Sequence, residues 1–124
     1  MSLEIQQFLD LIQKNFPEVV KTNSASTLNR TILFVPNQKR NKRWIKIDNN
    51  ESLHISFDFC LGDISEADCL SAGLPVRKNG RYGYKITDDA VHVTLTDVNV
   101  LLSEAMLPFL HKVYSSYLKR VELK

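Results

Sequence analysis

Residues 53–60 read LHISFDFC, and Leu53, Ile55, Phe57 and Phe59 alternate without a fault against His54, Ser56, Asp58 and Cys60. Successive side chains of a strand point to opposite faces, so this stretch is a strand with one face in a core and the other outside it. A helix cannot use such a pattern, because alternation scatters the apolar groups around its whole circumference. The segment therefore demands a sheet covered on one side. The rest of the chain must supply neighbouring strands and the cover.

Four segments supply the neighbours. Residues 27–35 are rich in β-formers and stop at Pro36, which lacks the N–H a central strand needs. Residues 43–48 alternate, with Ile45 and Ile47 opposite Trp44 and Lys46, and Asn49-Asn50 makes the next turn. Lys78-Asn79-Gly80-Arg81 carries the Asn-Gly pair of a two-residue hairpin turn, leading into a strand over residues 82–86. After Asp88-Asp89, Val91, Val93 and Leu95 alternate with His92, Thr94 and Thr96. Between the third and fourth strands, Ser65-Glu66-Ala67-Asp68 reads as a helix start and Gly73 as its C′ glycine, which predicts a short helix over 66–72.

The cover comes from the two ends. Ser2 caps a helix in which Ile5, Phe8, Leu9, Ile12 and Phe16 recur at helical spacing, until Pro17 stops it. Asp97 caps a last helix with a broad face of Val98, Leu101, Leu102, Met106, Phe109, Leu110, Val113, Tyr114 and Tyr117. Pro108 lies inside that run and predicts a kink or a break. The order is helix, three strands, short helix, two strands, helix. It predicts an α+β fold in two layers: a mostly antiparallel sheet of about five strands with the N- and C-terminal helices on one face. At 124 residues the chain is expected to form a single domain over 1–124.

No apolar run approaches the roughly 18–20 residues of a membrane span, and MSLEIQQF has neither the basic nor the apolar region of a signal peptide. Cys60 and Cys69 form no CxxC motif. Free thiols in the cytoplasm are the expectation, with no membrane partner. Net charge is only +2, but it is segregated. Residues 37–47 hold five cations and no acid, residues 48–76 hold six acids and no cation, and residues 77–85 hold four cations. Such blocks make a dipolar surface, and function turns on whether the two basic blocks meet.

The flow from ILFVPNQKRNKRWIKI through ESLHISFDF to VHVTL, closed by LHKVYSSYL, resembles a group of small bacterial domains of unknown function. These occur alone or at the C-terminus of predicted transport or restriction-associated proteins, and the likeness covers residues 27–118. A weaker likeness is to the MmcQ/YjbR-like family, which also closes on a helix with a Ser-Tyr pair, here Ser116-Tyr117. The resemblance implies the fold class and assigns no catalytic residue.

Candidate chemistry starts at QKRNKRW, residues 38–44. Lys39, Arg40, Lys42 and Arg43 lie in or beside a hairpin connection where they can meet phosphates, and Trp44 can stack on a base. Arg77, Lys78 and Arg81 of the second block join them as candidate nucleic-acid contacts. The bland alternative is a solvated loop that keeps a sheet edge from pairing. Tyr82-Gly83-Tyr84 echoes an RNA-binding strand motif, but Arg81 and Lys85 stand where that motif wants a glycine and an aliphatic. His54, Asp58 and His92 share a strand parity and could converge if their strands were neighbours, although positions four apart on one strand are about 13–14 Å apart. No Gly-rich phosphate loop or G-x-S-x-G is present, and no cofactor is expected. The reading is a non-catalytic binding or accessory module that contacts nucleic acid or another polyanion. Its alternatives are a dimerisation or protein-interaction domain using the last helix, whose apolar positions Leu107, Leu118 and Val121 overflow one stripe, and a metal-dependent hydrolase or nuclease on the open sheet face.

Overall fold

A computed structural model describes residues 3–23, 30–36, 43–49, 52–76 and 82–122. In chain order these form α1 (Leu3–Asn15), β1 (Val20–Asn23), β2 (Arg30–Phe34), β3 (Arg43–Asn49), β4 (Leu53–Asp58), α2 (Glu66–Ser71), β5 (Gly83–Ile86), β6 (Ala90–Leu95), a 3-10 helix (Val98–Leu102) and α3 (Met106–Glu122). The strands make one sheet in the order β1-β2-β3-β4-β6-β5, with every neighbouring pair antiparallel. The α+β architecture matches the expectation, with six strands in place of about five. The added strand, β1, is four residues on the sheet edge, too short to show a periodicity of its own.

The alternation of residues 53–60 sets the layers. Leu53, Ile55 and Phe57 face inward and pair in register with Leu95, Val93 and Val91 of β6, while on the other side Ile55 and Phe57 pair with Ile47 and Ile45 of β3. α1 adds Ile5, Phe8, Leu9 and Ile12 to the same core, and α3 adds Met106, Phe109, Leu110 and Val113. Phe57 and Phe109 meet edge to face at 5.4 Å, a favoured arrangement of aromatic quadrupoles. No helix of the described residues is long and apolar enough to cross a membrane.

Trp44 departs from its expected parity. β2 and β3 pair regularly up to Leu33↔Ile45, then shift so that Phe34 pairs with Arg43. Trp44 is thus the extra residue of a β-bulge, which re-aims side chains on the bulged strand. The indole turns into the core, 0% exposed, and meets Phe16, Tyr114 and Tyr117. Arg43 is correspondingly turned to the face of Asp58, with which it pairs at 3.1 Å.

α2 begins as its sequence suggests: Ser65 and Asp68 exchange side-chain and backbone bonds in a capping box. Gly73 follows with φ of +83°, the left-handed conformation of a C′ residue. Asp97 caps the 3-10 helix rather than α3, accepting from the Asn99 N–H at 3.0 Å. The chain then breaks at residues 103–105 and α3 starts at Met106, so Pro108 falls in a first turn where its missing N–H costs nothing. The expected hairpin at Asn79-Gly80 lies outside the described residues. Beside it Val76 and Tyr84 form an isolated parallel bridge, the opposite sense to hairpin pairing. Cys69 is buried, Cys60 half-buried, and neither forms a disulfide. Burial first, then the charges of Asp68 and Glu66, push the Cys69 thiol up to about 11.

Candidate functional site

The two long helices occupy the side of the sheet that carries Ile45 and Phe57, and among the described residues no helix covers the other. Register decides what lies there. One row runs Thr22, Ile32, Lys46, Ser56, His92, Lys85 across all six strands. The next runs Arg30, Asp48, His54, Thr94, Gly83 across β2 to β5. Arg43 and Asp58 extend the face beyond the first row. Among the described residues four cations thus share the face with two carboxylates: Arg30 pairs with Asp48 at 2.7 Å, Lys46 reaches the same carboxylate at 3.5 Å, and Arg43 takes Asp58. Lys85 is exposed and makes no ion pair among the described residues.

These pairings tune the acids in opposite directions. Burial works to raise the Asp48 carboxyl, but the hydrogen bond from Arg30 and the charges of Lys46 and Arg30 prevail, so it lies below its usual range. At Asp58 burial wins over the attraction of Arg43 and Arg120, and the carboxyl is raised.

Two histidines meet at the centre, because β4 and β6 are neighbours. The rings of His54 and His92 stack with centroids 5.9 Å apart and planes 20° from parallel. His54 Nδ1 lies 3.1 Å from Thr94 Oγ1, and His92 Nδ1 lies 3.0 Å from Ser56 Oγ. Ser56 is 0% exposed and has no other side-chain partner among the described residues. Its hydroxyl hydrogen would be stranded unless it goes to His92 Nδ1, and a stranded buried donor is costly. Ser56 therefore donates, and His92 carries its own proton on Nε2. Burial holds the His92 imidazole below its ordinary range; the Asp58 charge opposes this, while Lys46, Arg43 and Lys85 reinforce it.

Among the described residues no three of His, Cys, Asp and Glu gather to hold a metal ion. His54 and His92 do converge, but Asp58 pairs with Arg43, and Nδ1 of each ring lies within hydrogen-bond distance of a hydroxyl. Ser56 beside His92 has the spacing of a nucleophile and its base, yet its oxygen has no surface from which to reach a substrate.

Of the residues singled out in the sequence, Lys39, Arg40, Lys42, Arg77, Lys78 and Arg81 lie outside the described residues. Arg43 is on the open face. Trp44 is a correction: the bulge places it in the core, where no base can stack on it. Tyr84 likewise faces inward, paired with Val93 and buried. The helix face read as an interface is occupied within the chain, since Tyr114, Tyr117 and Val121 are buried and Leu107 and Leu118 pack on the core. Lys46 and Lys85 belong to the basic blocks, but nothing in either block singles them out as contacts. Parity alone turns Lys46 outward; only the strand order puts Lys85 in the same row.

The late Ser-Tyr pair has structural partners. Ser116 Oγ accepts the Cys60 N–H at 2.8 Å and donates to Asp63 at 2.8 Å, and Tyr117 OH accepts the Val35 N–H at 3.2 Å. A cleft of about 320 Å³ between α2 and α3 is lined by Asp68, Ala72, Pro108, Phe109 and Lys112. Its two charges neutralise each other at 2.7 Å, leaving none for a ligand. The class defined by fold and face is thus an α+β sheet whose open side is polar and, among the described residues, net cationic. No family model, curated protein or solved structure matches the chain.

Proposed function

We infer that this chain is a non-catalytic binding module whose open sheet face contacts a nucleic acid or another polyanion. What supports it is one observation: Lys46 from the first basic block and Lys85 from the second stand in a single cross-strand row on the uncovered face. Charge gathered this way on a protein of small net charge attracts anions locally without coating them in bulk.

Titration with single-stranded and duplex oligonucleotides at two salt concentrations tests the reading. Binding should weaken with salt. Replacing Lys46 and Lys85 by Gln should flatten the log-log slope by about 0.7 for each single-strand phosphate no longer neutralised, or about 0.9 for each duplex phosphate. Salt-insensitive binding, or none at low ionic strength, would sink the proposal.

A further inference from the structure

Lys46, Ser56, His92 and Lys85 are successive cross-strand partners on β3, β4, β6 and β5. Adjacent strands lie about 4.8 Å apart, so the two lysine backbones are about 14 Å apart, with His92 between them and next to Lys85. Flexible lysine stems allow both ammonium groups to close on a group seated at His92. The hydroxyl of Ser56 fixes which imidazole nitrogen carries the proton, and for the resulting Nε2–H the described residues offer no acceptor.

We propose that His92, held by Ser56 and flanked by Lys46 and Lys85, is a phosphoryl-group site in which Nε2–H donates to a phosphate oxygen. The inference rests on the polyanion reading and names its point of contact. The ligand chemistry is a phosphate oxyanion, from either a nucleic-acid backbone or free inorganic phosphate. Around the imidazole stand Lys46, Arg43 and Asp48 of β3, His54 and Asp58 of β4 and Lys85 of β5, with Arg30 of β2 beyond Asp48. In the free ring, burial and three cations disfavour the charged form, against the opposing charge of Asp58. A bound anion offsets those cations and favours the imidazolium; the added proton takes Nδ1 and turns Ser56 from donor to acceptor, a cost the anion's charge outweighs, so binding takes up a proton and affinity rises as pH falls.

The test titrates protein carrying ¹⁵N-labelled histidine with inorganic phosphate and, separately, with a single-stranded oligonucleotide at pH 7.5, 6.5 and 5.5. At least one anion should move the His92 imidazole resonances, and affinity should rise by up to about tenfold per pH unit. His92→Gln should remove that pH dependence. Lys85→Gln, at an exposed position, should weaken binding at every pH. Movement with phosphate alone would support the site and identify its ligand as the free anion. If the oligonucleotide binds wild type but His92→Gln keeps the same pH profile, this site is wrong and the binding module stands. If neither anion binds at low salt, both fall.

Discussion

At Trp44 the inward turn has a measurable cost. The indole ring is sealed among Phe16, Tyr114 and Tyr117, yet its Nε1–H has no hydrogen-bond partner among the described residues. An unsatisfied buried donor costs about 1–3 kcal/mol. The ring's burial outweighs this, and Trp44→Ala should lose about 3–5 kcal/mol of stability. Trp44 is the only tryptophan, so fluorescence reads it alone. Its emission should be blue-shifted, protected from iodide and unchanged by added oligonucleotide. Red-shifted, quenchable emission would place the indole outside and refute the bulge. The outward parity of Ser56 was legible, but its complete burial was not, because crowding by neighbours across the face is not written in one strand. Ser56→Ala, which looks innocuous on parity alone, therefore removes the bond that orients His92.

Among the elements, α2 is the one whose ends can be tested separately. It has only six residues, and its start is held by the Ser65–Asp68 capping box, with Asp68 also reaching Lys112 on α3 at 2.7 Å. Ser65→Ala should cost about 1 kcal/mol. At the other end Gly73 has φ of +83°, and a Cβ there would meet nothing within 4 Å. The cost of Gly73→Ala is then backbone strain alone, about 1–2 kcal/mol. Gly73→Asn should cost less, since asparagine tolerates that region. Denaturant midpoints for the three variants check this, and equal costs for Ala and Asn would mean that conformation is not what Gly73 supplies. Both ends of α2 could be read from residue types because capping is local. β1 could not, since a four-residue edge strand exists only through its pairing with β2.

For the whole molecule, stability should follow pH in two windows. Asp63 is held below its ordinary 3.8 by Lys119 and Ser116. Asp68 is held below it because Lys112 and Ser65 overcome burial, and Asp48 behaves alike with Arg30 and Lys46. These groups contribute stability above 3.8 that is lost as pH falls through their folded values. His92 is also lowered, from 6.5, mainly by burial. Its contribution is present above 6.5 and lost as pH falls through its folded value, a higher window than the carboxylates'. Asp58 is raised and has the opposite sign, favouring the fold below 3.8. Urea midpoints should therefore be flat near neutrality, dip below 6.5, and fall further below 3.8. His92→Gln should erase only the first dip. A dip that survived the substitution would assign it to another group.

The alternation of residues 53–60 was enough to require a half-covered sheet, and helical spacing at both ends was enough to name the cover. Those signals are local, because a strand's side-chain period and a helix's apolar stripe follow from backbone geometry. The segregation of charge into blocks was equally plain. What the blocks do on a surface was not, because Lys46 and Lys85 become neighbours in a row only through the order β3-β4-β6-β5. The stacking of His54 on His92 depends on the same adjacency. Trp44 depends on a single shift of register between β2 and β3. Strand order and register are set by how the whole core packs, and that long-range energy leaves no mark on any one segment.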